Sequence, residues 1–388
     1  MTRLAYFGHD IADAAIRRRV EALSADGLEV TGFMMRRSDR SETAWPNIDL
    51  GQTQDGAFVQ RLRQIFRGAR MAADAGGALE TADVILARNV DMLACAFLAK
   101  RHLNLSTPVI YECLDVHRLL VREDPIGSAI RQLEAQLLKR CAGLIVSSQA
   151  FVRNHFEPRY GGHPATHLVE NRLSAGMAYG PRPAPEEAIE TVTGPLRIGW
   201  FGILRCARTL DILLETAKAY PRNVEIIIRG RVSRVEIPDF ETAIQGYPNV
   251  QFGGAYKAPE DLAEIYSSVD LVWAGDFMEA GFNSVWLLPN RLYEGGYFGV
   301  PPIAPAGTET ATWIARHDCG YSVAEPIEQS LVALAGELIA TRDAIAHRRA
   351  ALLRLPEAVF VQPRGTMRAL IEGFQGVTIE AEINEVVA

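Results

Sequence analysis

Short apolar runs alternate along this chain with longer stretches in which apolar residues recur every three or four positions. The first pattern predicts buried strands, and the second predicts helices with one face turned to a core. In the first half, strands are expected over residues 4–7, 29–34, 83–87, 108–112 and 143–147. Helices are expected over 14–26, 92–102 and 126–140, with Gly27 stopping the first. The pattern restarts at Leu196-Arg197-Ile198-Gly199-Trp200-Phe201-Gly202. An amphipathic helix over 209–220 follows, with strands over 224–229, 250–252, 270–273 and 301–304. Strands alternating with helices imply parallel sheets covered on both faces. The expected fold class is α/β, with two doubly wound Rossmann-like domains facing across a cleft.

Proline punctuation sets the expected boundary. The segment Gly180-Pro181-Arg182-Pro183-Ala184-Pro185-Glu186-Glu187 reads as a linker that few contacts cross. We expect a first domain at 1–180, a linker at 181–194 and a second domain at 195–360. A last helix and tail at 361–388 are expected to cross back to the first domain.

Composition narrows the class. A chain of 388 residues exceeds one typical core, and 48% hydrophobic with 22% charged residues is ordinary for a globular protein. The net charge of −7 argues against a nucleic-acid partner. Five scattered cysteines without a Cys-x-x-Cys pair point to a reducing compartment and away from zinc. No signal-peptide core opens the chain, and no apolar run is long enough to span a bilayer. A cytoplasmic protein is expected.

One basic stretch qualifies that expectation. Residues 58–71 predict a helix without an acid, carrying Arg61, Arg63, Arg67 and Arg70 beside Phe58, Leu62, Ile65 and Phe66. Such a helix can lie on an anionic membrane, here the inner face of the cytoplasmic membrane, or can simply face a core with a solvated basic side.

Three segments carry candidate chemistry. Pro289-Asn290-Arg291-Leu292-Tyr293-Glu294-Gly295-Gly296 starts a helix after a proline and sets Glu294 one turn in. Backbone N–H groups at such a start suit phosphates, and the carboxylate suits a ribose diol. Gly202-Ile203-Leu204-Arg205-Cys206-Ala207-Arg208 links a strand to a helix, with Arg205 and Arg208 placed for bidentate phosphate contacts. Arg229-Gly230-Arg231 ends the next strand and is a further phosphate candidate. In the first half, Tyr111-Glu112-Cys113-Leu114-Asp115-Val116-His117 follows a buried strand. Asp115 is the candidate general base there, His9 beside Asp10 is the rival at the first strand end, and His117 is a third. The plainer alternative is that these groups cap helices or satisfy loop backbone.

These motifs, in this order, resemble the GT-B glycosyltransferases, in particular the family 4 or group 1 bacterial exopolysaccharide enzymes. Gly202 to Asp211 is similar to their Gly-Arg-Leu-x-x-x-Lys-Gly-x-Asp loop, with Arg208 at the diphosphate-binding lysine and Ile203 and Thr209 departing from the pattern. Residues 289–303 resemble their donor segment, with Asn290, Arg291 and Glu294 at its Asn-Lys-x-x-Glu positions. The stretch from Tyr256 to Asp270 looks like the base-binding helix, Val169-Glu170-Asn171-Arg172 like the linker entry, and His317-Asp318-Cys319-Gly320 like the Gly-Cys-Gly turn. Loops similar to the one holding Asp115 and His117 lie near the acceptor in that superfamily.

The resemblance implies transfer of a sugar from a nucleotide-diphosphate-sugar to a saccharide or lipid-linked saccharide, with no cofactor. It puts Gly202, Arg205, Arg208, Arg229, Tyr256, Asn290, Arg291 and Glu294 at the donor and Asn283, Ser284 and Trp286 in the sugar pocket. No Asp-x-Asp pair occurs, so arginines and helix dipoles are expected to stabilise the leaving diphosphate without a metal. One departure is chemical. Trp286 stands where retaining members often carry the first acid of a Glu-x7-Glu pair. A nucleotide-sugar 2-epimerase of the same fold and a catalytically silent donor-binding module are the alternatives. A dehydrogenase is excluded because neither first loop has Gly-x-Gly-x-x-Gly.

Overall fold

A computed structural model of the chain describes residues 1–37, 42–53, 58–186, 194–279 and 281–374. Two compact units result. The first comprises Met1–Glu170, Ser174–Gly176 and the chain from Pro363 onward, and the second comprises Asn171–Leu173 and Met177–Gln362. The short strand β8 (Leu173–Ser174) spans one of the passages between the units, and β15 (Val361–Gln362) ends at the last.

The first crossing thus precedes the segment expected to be the linker. Arg182 explains why that segment belongs to the second unit. Its guanidinium donates to the carbonyls of Leu352 and Leu355 and lies over the Phe360 ring. The Tyr297 hydroxyl donates to the Gly180 carbonyl in the same way. Residues 187–193 of the expected linker lie outside the described residues.

The first unit is built on seven parallel strands in the order β3-β2-β1-β4-β5-β6-β7. They are β1 (Arg3–Gly8), β2 (Glu29–Arg36), β3 (Asn47–Gln52), β4 (Val84–Arg88), β5 (Val109–Cys113), β6 (Gly143–Val146) and β7 (Thr166–Leu168). The edge strands β3 and β7 are half-exposed and mixed in polarity, which is why no apolar run announces them. Asp13 caps the helix Ala14–Ala25 by accepting from the N–H groups of Ala15 and Ile16. That helix buries Ile16, Val20 and Leu23 with Met367 and Ile371 of the last helix, Thr366–Gly373, and with Phe374 just after it. Asp26 fixes the start of the last helix by accepting from the backbone of Gly365 and Met367.

In the second unit six parallel strands take the order β11-β10-β9-β12-β13-β14. They are β9 (Leu196–Leu204), β10 (Val224–Val232), β11 (Val250–Phe252), β12 (Leu271–Trp273), β13 (Pro302–Pro305) and β14 (Tyr321–Val323). Strand β9 continues past Gly202 to Leu204, so only Arg205 and Cys206 separate it from the helix Ala207–Ala219. The two sheets repeat one order, reversing between β1 and β4 and again between β9 and β12. Ligands of doubly wound sheets bind beyond the carboxyl ends of the strands at such reversals.

Candidate functional site

At the second reversal the helix Asn290–Tyr297 begins directly after Pro289. Arg291, in its first turn, donates to the Phe201 carbonyl of β9 at 3.1 Å and to the Gly275 carbonyl just beyond β12 at 3.5 Å. One turn on, Glu294 is buried, and its carboxylate accepts from the Tyr266 hydroxyl at 3.0 Å. Tyr266 stands on the helix Leu262–Ser267 with its ring edge on Phe201 and its face against Phe298. Burial, and then the neighbouring Glu294 charge, push the Tyr266 phenol well above its usual pKa, so it stays a donor.

Close backbone contact shapes the floor beside it. Gly230 of β10 pairs with Gly202 of β9, and a Cβ on Gly230 would stand 1.9 Å from the Gly202 carbonyl oxygen. Arg229 packs its stem on Gly253 and donates to the Gly254 carbonyl at 3.4 Å. Arg205 pairs with Asp276 at 3.4 Å. Arg208 is held by Glu325 at 2.7 Å and Glu328 at 3.2 Å. Both arginines expected at the phosphates therefore already face carboxylates. The Cys206 thiol accepts from the N–H groups of Thr209 and Phe277, tying this loop to the one after β12. Of the sugar-pocket candidates, Asn283 and Ser284 are buried, and Ser284 accepts from the Glu279 N–H at 2.9 Å. Trp286 is half-buried and meets Phe282 edge-on.

In the first unit, His9 leaves the end of β1 with its Nε2 3.8 Å from the Asp13 carboxylate. Its Nδ1 is buried with no hydrogen-bond partner among the described residues. Arg88, at the end of the neighbouring β4, sets its Nη1 3.8 Å from the same carboxylate. Arg88 also donates through Nε to Glu112, which accepts as well from Arg19 at 2.6 Å and from the Tyr6 hydroxyl at 2.8 Å. Burial would raise the Glu112 pKa, but Arg88 and Arg19 outweigh it and hold the carboxyl down to about 2. Asp115 is exposed, and no hydrogen bond to its carboxylate occurs among the described residues. His117 caps the short helix Arg118–Val121, its Nδ1 accepting from the Leu119 N–H at 3.2 Å.

Comparison with known proteins decides the family. No family model matches the chain. The succinoglycan biosynthesis protein ExoL of Rhizobium meliloti (strain 1021) is 38% identical over 385 residues, covering 98% of this chain and 95% of that protein. The chain belongs to the family of the succinoglycan biosynthesis protein ExoL. Solved structures agree on the fold. Sucrose-phosphate synthase from Thermosynechococcus elongatus matches with a TM-score of 0.73 at 14% identity, over 96% of this chain and 98% of that one. Anabaena HepE in complex with UDP matches with a TM-score of 0.67 at 15% identity, over 96% and 100%.

Several residues of the site were not read from the sequence. Asp13 was legible as an acidic N-cap immediately before the helix that starts at Ala14. Arg88 and Glu112 carried no signal, because a charged residue ending an apolar strand looks like the start of a loop. The basic helix exists as Phe58–Asp74. Ile65 is buried whereas Phe66 is 54% exposed beside exposed Arg63, Arg67 and Arg70. The side chains of Phe58, Arg61 and Leu62 lie outside the described residues. No described helix is long and apolar enough to cross a membrane.

Proposed function

We propose that this enzyme binds a nucleotide-diphosphate-sugar on its second unit and transfers the sugar, without a metal ion, to a hydroxyl of a saccharide or lipid-linked saccharide. The observation that carries the donor assignment is the buried Glu294 carboxylate held by Tyr266 at the β9–β12 reversal, one turn beyond Arg291. A buried carboxylate with a fixed partner is preorganised to accept from a ribose diol. Arg229, Arg205, Arg208 and the start of the helix Ala207–Ala219 supply positive charge for the diphosphate. HepE, of the same fold, is known in complex with UDP, which makes a uridine donor the first to try.

For acceptor activation, His9 is better supported than Asp115. A base that takes a hydroxyl proton works best when a second group fixes its ring, and Asp13 stands where it can do so. Asp115 has no such bracing, and the capping bond of His117 occupies the nitrogen that would accept a proton. The exposed Phe66 and the arginines around it support a contact of the first unit with anionic lipid, where a lipid-linked acceptor would lie. The test is release of nucleoside diphosphate from a panel of nucleotide-sugars, with membrane extract as acceptor and with excess chelator. Release that persists in chelator supports the proposal; release abolished by chelator and restored by magnesium overturns its metal independence.

A further inference from the structure

The carboxyl end of β14 brings two helix starts together. The helix Ala207–Ala219 packs against the helix Ile327–Ala340, with Arg208 in the first turn of one and Glu328 in the first turn of the other. Arg208 reaches both glutamates. Its Nη2 donates to both oxygens of Glu325, at 2.9 and 2.7 Å, and its Nε donates to Glu328 at 3.2 Å. The guanidinium lies over the Phe277 ring, 4.5 Å from its centroid. Glu325 also accepts from the Ile327 N–H at 3.3 Å. Two partially positive helix starts and a guanidinium form an anion site, and here the chain's own carboxylates fill it.

The pairs are not deeply buried. The side chains of Arg208, Glu325 and Glu328 are 39%, 63% and 35% exposed. Exposed ion pairs contribute little, so a stronger anion can displace them. A diphosphate offers the same bidentate geometry with more charge than one carboxylate.

We infer that Glu325 and Glu328 act as internal stand-ins for the donor diphosphate, holding Arg208 in its phosphate-binding posture until the donor takes their place. The inference rests on the reading of Arg208 as a donor ligand. It makes both glutamates specificity-determining residues: they hold Arg208 neutralised against weak anions and set the donor affinity below what the arginine alone would give.

Titration calorimetry of the full chain tests this, with inorganic pyrophosphate, UDP and the other nucleoside diphosphates as probes. E325Q/E328Q is expected to bind pyrophosphate and UDP roughly three- to tenfold more tightly, the size of one or two exposed ion pairs. R208A is expected to bind them more weakly, and the gain from E325Q/E328Q is expected to vanish in its presence. If R208A weakens binding while E325Q/E328Q leaves it unchanged or weaker, the stand-in inference is overturned and the donor reading survives. If R208A binds every probe as the parent does, the reading of Arg208 fails and takes the inference with it. E325Q alone, which leaves Glu328 in place, repeats the comparison at smaller amplitude if the double variant does not fold.

Discussion

The Tyr266 hydroxyl donates to the Glu294 carboxylate at 3.0 Å, and both side chains are buried. A carboxylate out of water needs fixed donors, and this phenol supplies one from a separate helix. Glu294→Gln keeps the shape but removes the charge that a ribose diol would meet. We expect it to weaken UDP binding by roughly tenfold or more, the range for a charge-assisted hydrogen bond. Tyr266→Phe leaves Glu294 short of a donor and is expected to lower the melting temperature as well as the affinity. Calorimetry and thermal unfolding check the two outcomes, and unchanged UDP affinity in both variants would remove Glu294 from the donor site.

Gly230→Ala probes the floor of the same site. The new Cβ would stand 1.9 Å from the Gly202 oxygen, and the φ of +148° at Gly230 is one that L side chains rarely adopt. Clash and strain together should cost more than about 2 kcal/mol of stability. Denaturant unfolding is the measurement. A cost below about 0.5 kcal/mol, ordinary for an innocuous surface change, would show that the two strands separate easily.

Much of this architecture was legible because parallel strands buried on both faces are apolar over most of their length. The runs at β1, β4, β5, β6 and β9 obeyed that rule, and their alternation with helices gave the two-sheet plan. Edge strands escaped it, since β3 needs only one buried neighbour and reads as Asn-Ile-Asp-Leu-Gly-Gln. Glu294 was legible from its motif, while its dependence on Tyr266, 28 residues away, was not. The capture of Arg208 by Glu325 joins residues 117 apart, and only the packing of two helices brings them together. Site residues that act through local spacing can be read from sequence; partners supplied by tertiary contact cannot.

The two candidate bases can be separated by mutation. His9→Gln removes the ring whose Nε2 lies 3.8 Å from the Asp13 carboxylate, and Asp115→Asn removes an exposed carboxylate. General-base groups contribute roughly 10²–10⁴-fold, so His9→Gln is expected to lower kcat by at least about a hundredfold while UDP affinity is kept. Asp13→Asn should lower kcat less and change the pH profile, because it alters what holds the ring. Near-normal turnover in His9→Gln with loss in Asp115→Asn would reverse the assignment.

Acid stability should report on Glu112. Its folded pKa, about 2, lies below the usual value near ~4.3 for a glutamate, so the native state binds fewer protons than the unfolded chain in that window. Its contribution is therefore fully present above the unfolded pKa and is lost as pH falls towards 2. Denaturant midpoints measured from pH 5 to 2 should fall, and Glu112→Gln should flatten that part of the curve. At neutral pH the same substitution strands Arg19 and Arg88 in the core and should cost about 3–5 kcal/mol. A variant with the parent's slope would show that other carboxylates govern acid unfolding.

The proposed membrane contact makes a graded prediction. Arg63, Arg67 and Arg70 are exposed on the helix Phe58–Asp74, and Phe66 is exposed among them. Each basic residue near an anionic surface contributes about 1 kcal/mol, and the three together should change vesicle affinity by on the order of a hundredfold. Replacing all three with glutamine should therefore abolish sedimentation with phosphatidylglycerol vesicles at low salt. Phe66→Ser in the parent, with the arginines kept, should weaken sedimentation by removing the apolar insertion that charge alone does not supply. Salt should weaken binding of the parent, because screening shortens the reach of exposed charges. Soluble donor binding should be unaffected in every variant, since the helix belongs to the first unit and the donor residues to the second. Equal sedimentation of parent and triple-glutamine protein would leave this helix as an ordinary solvated face.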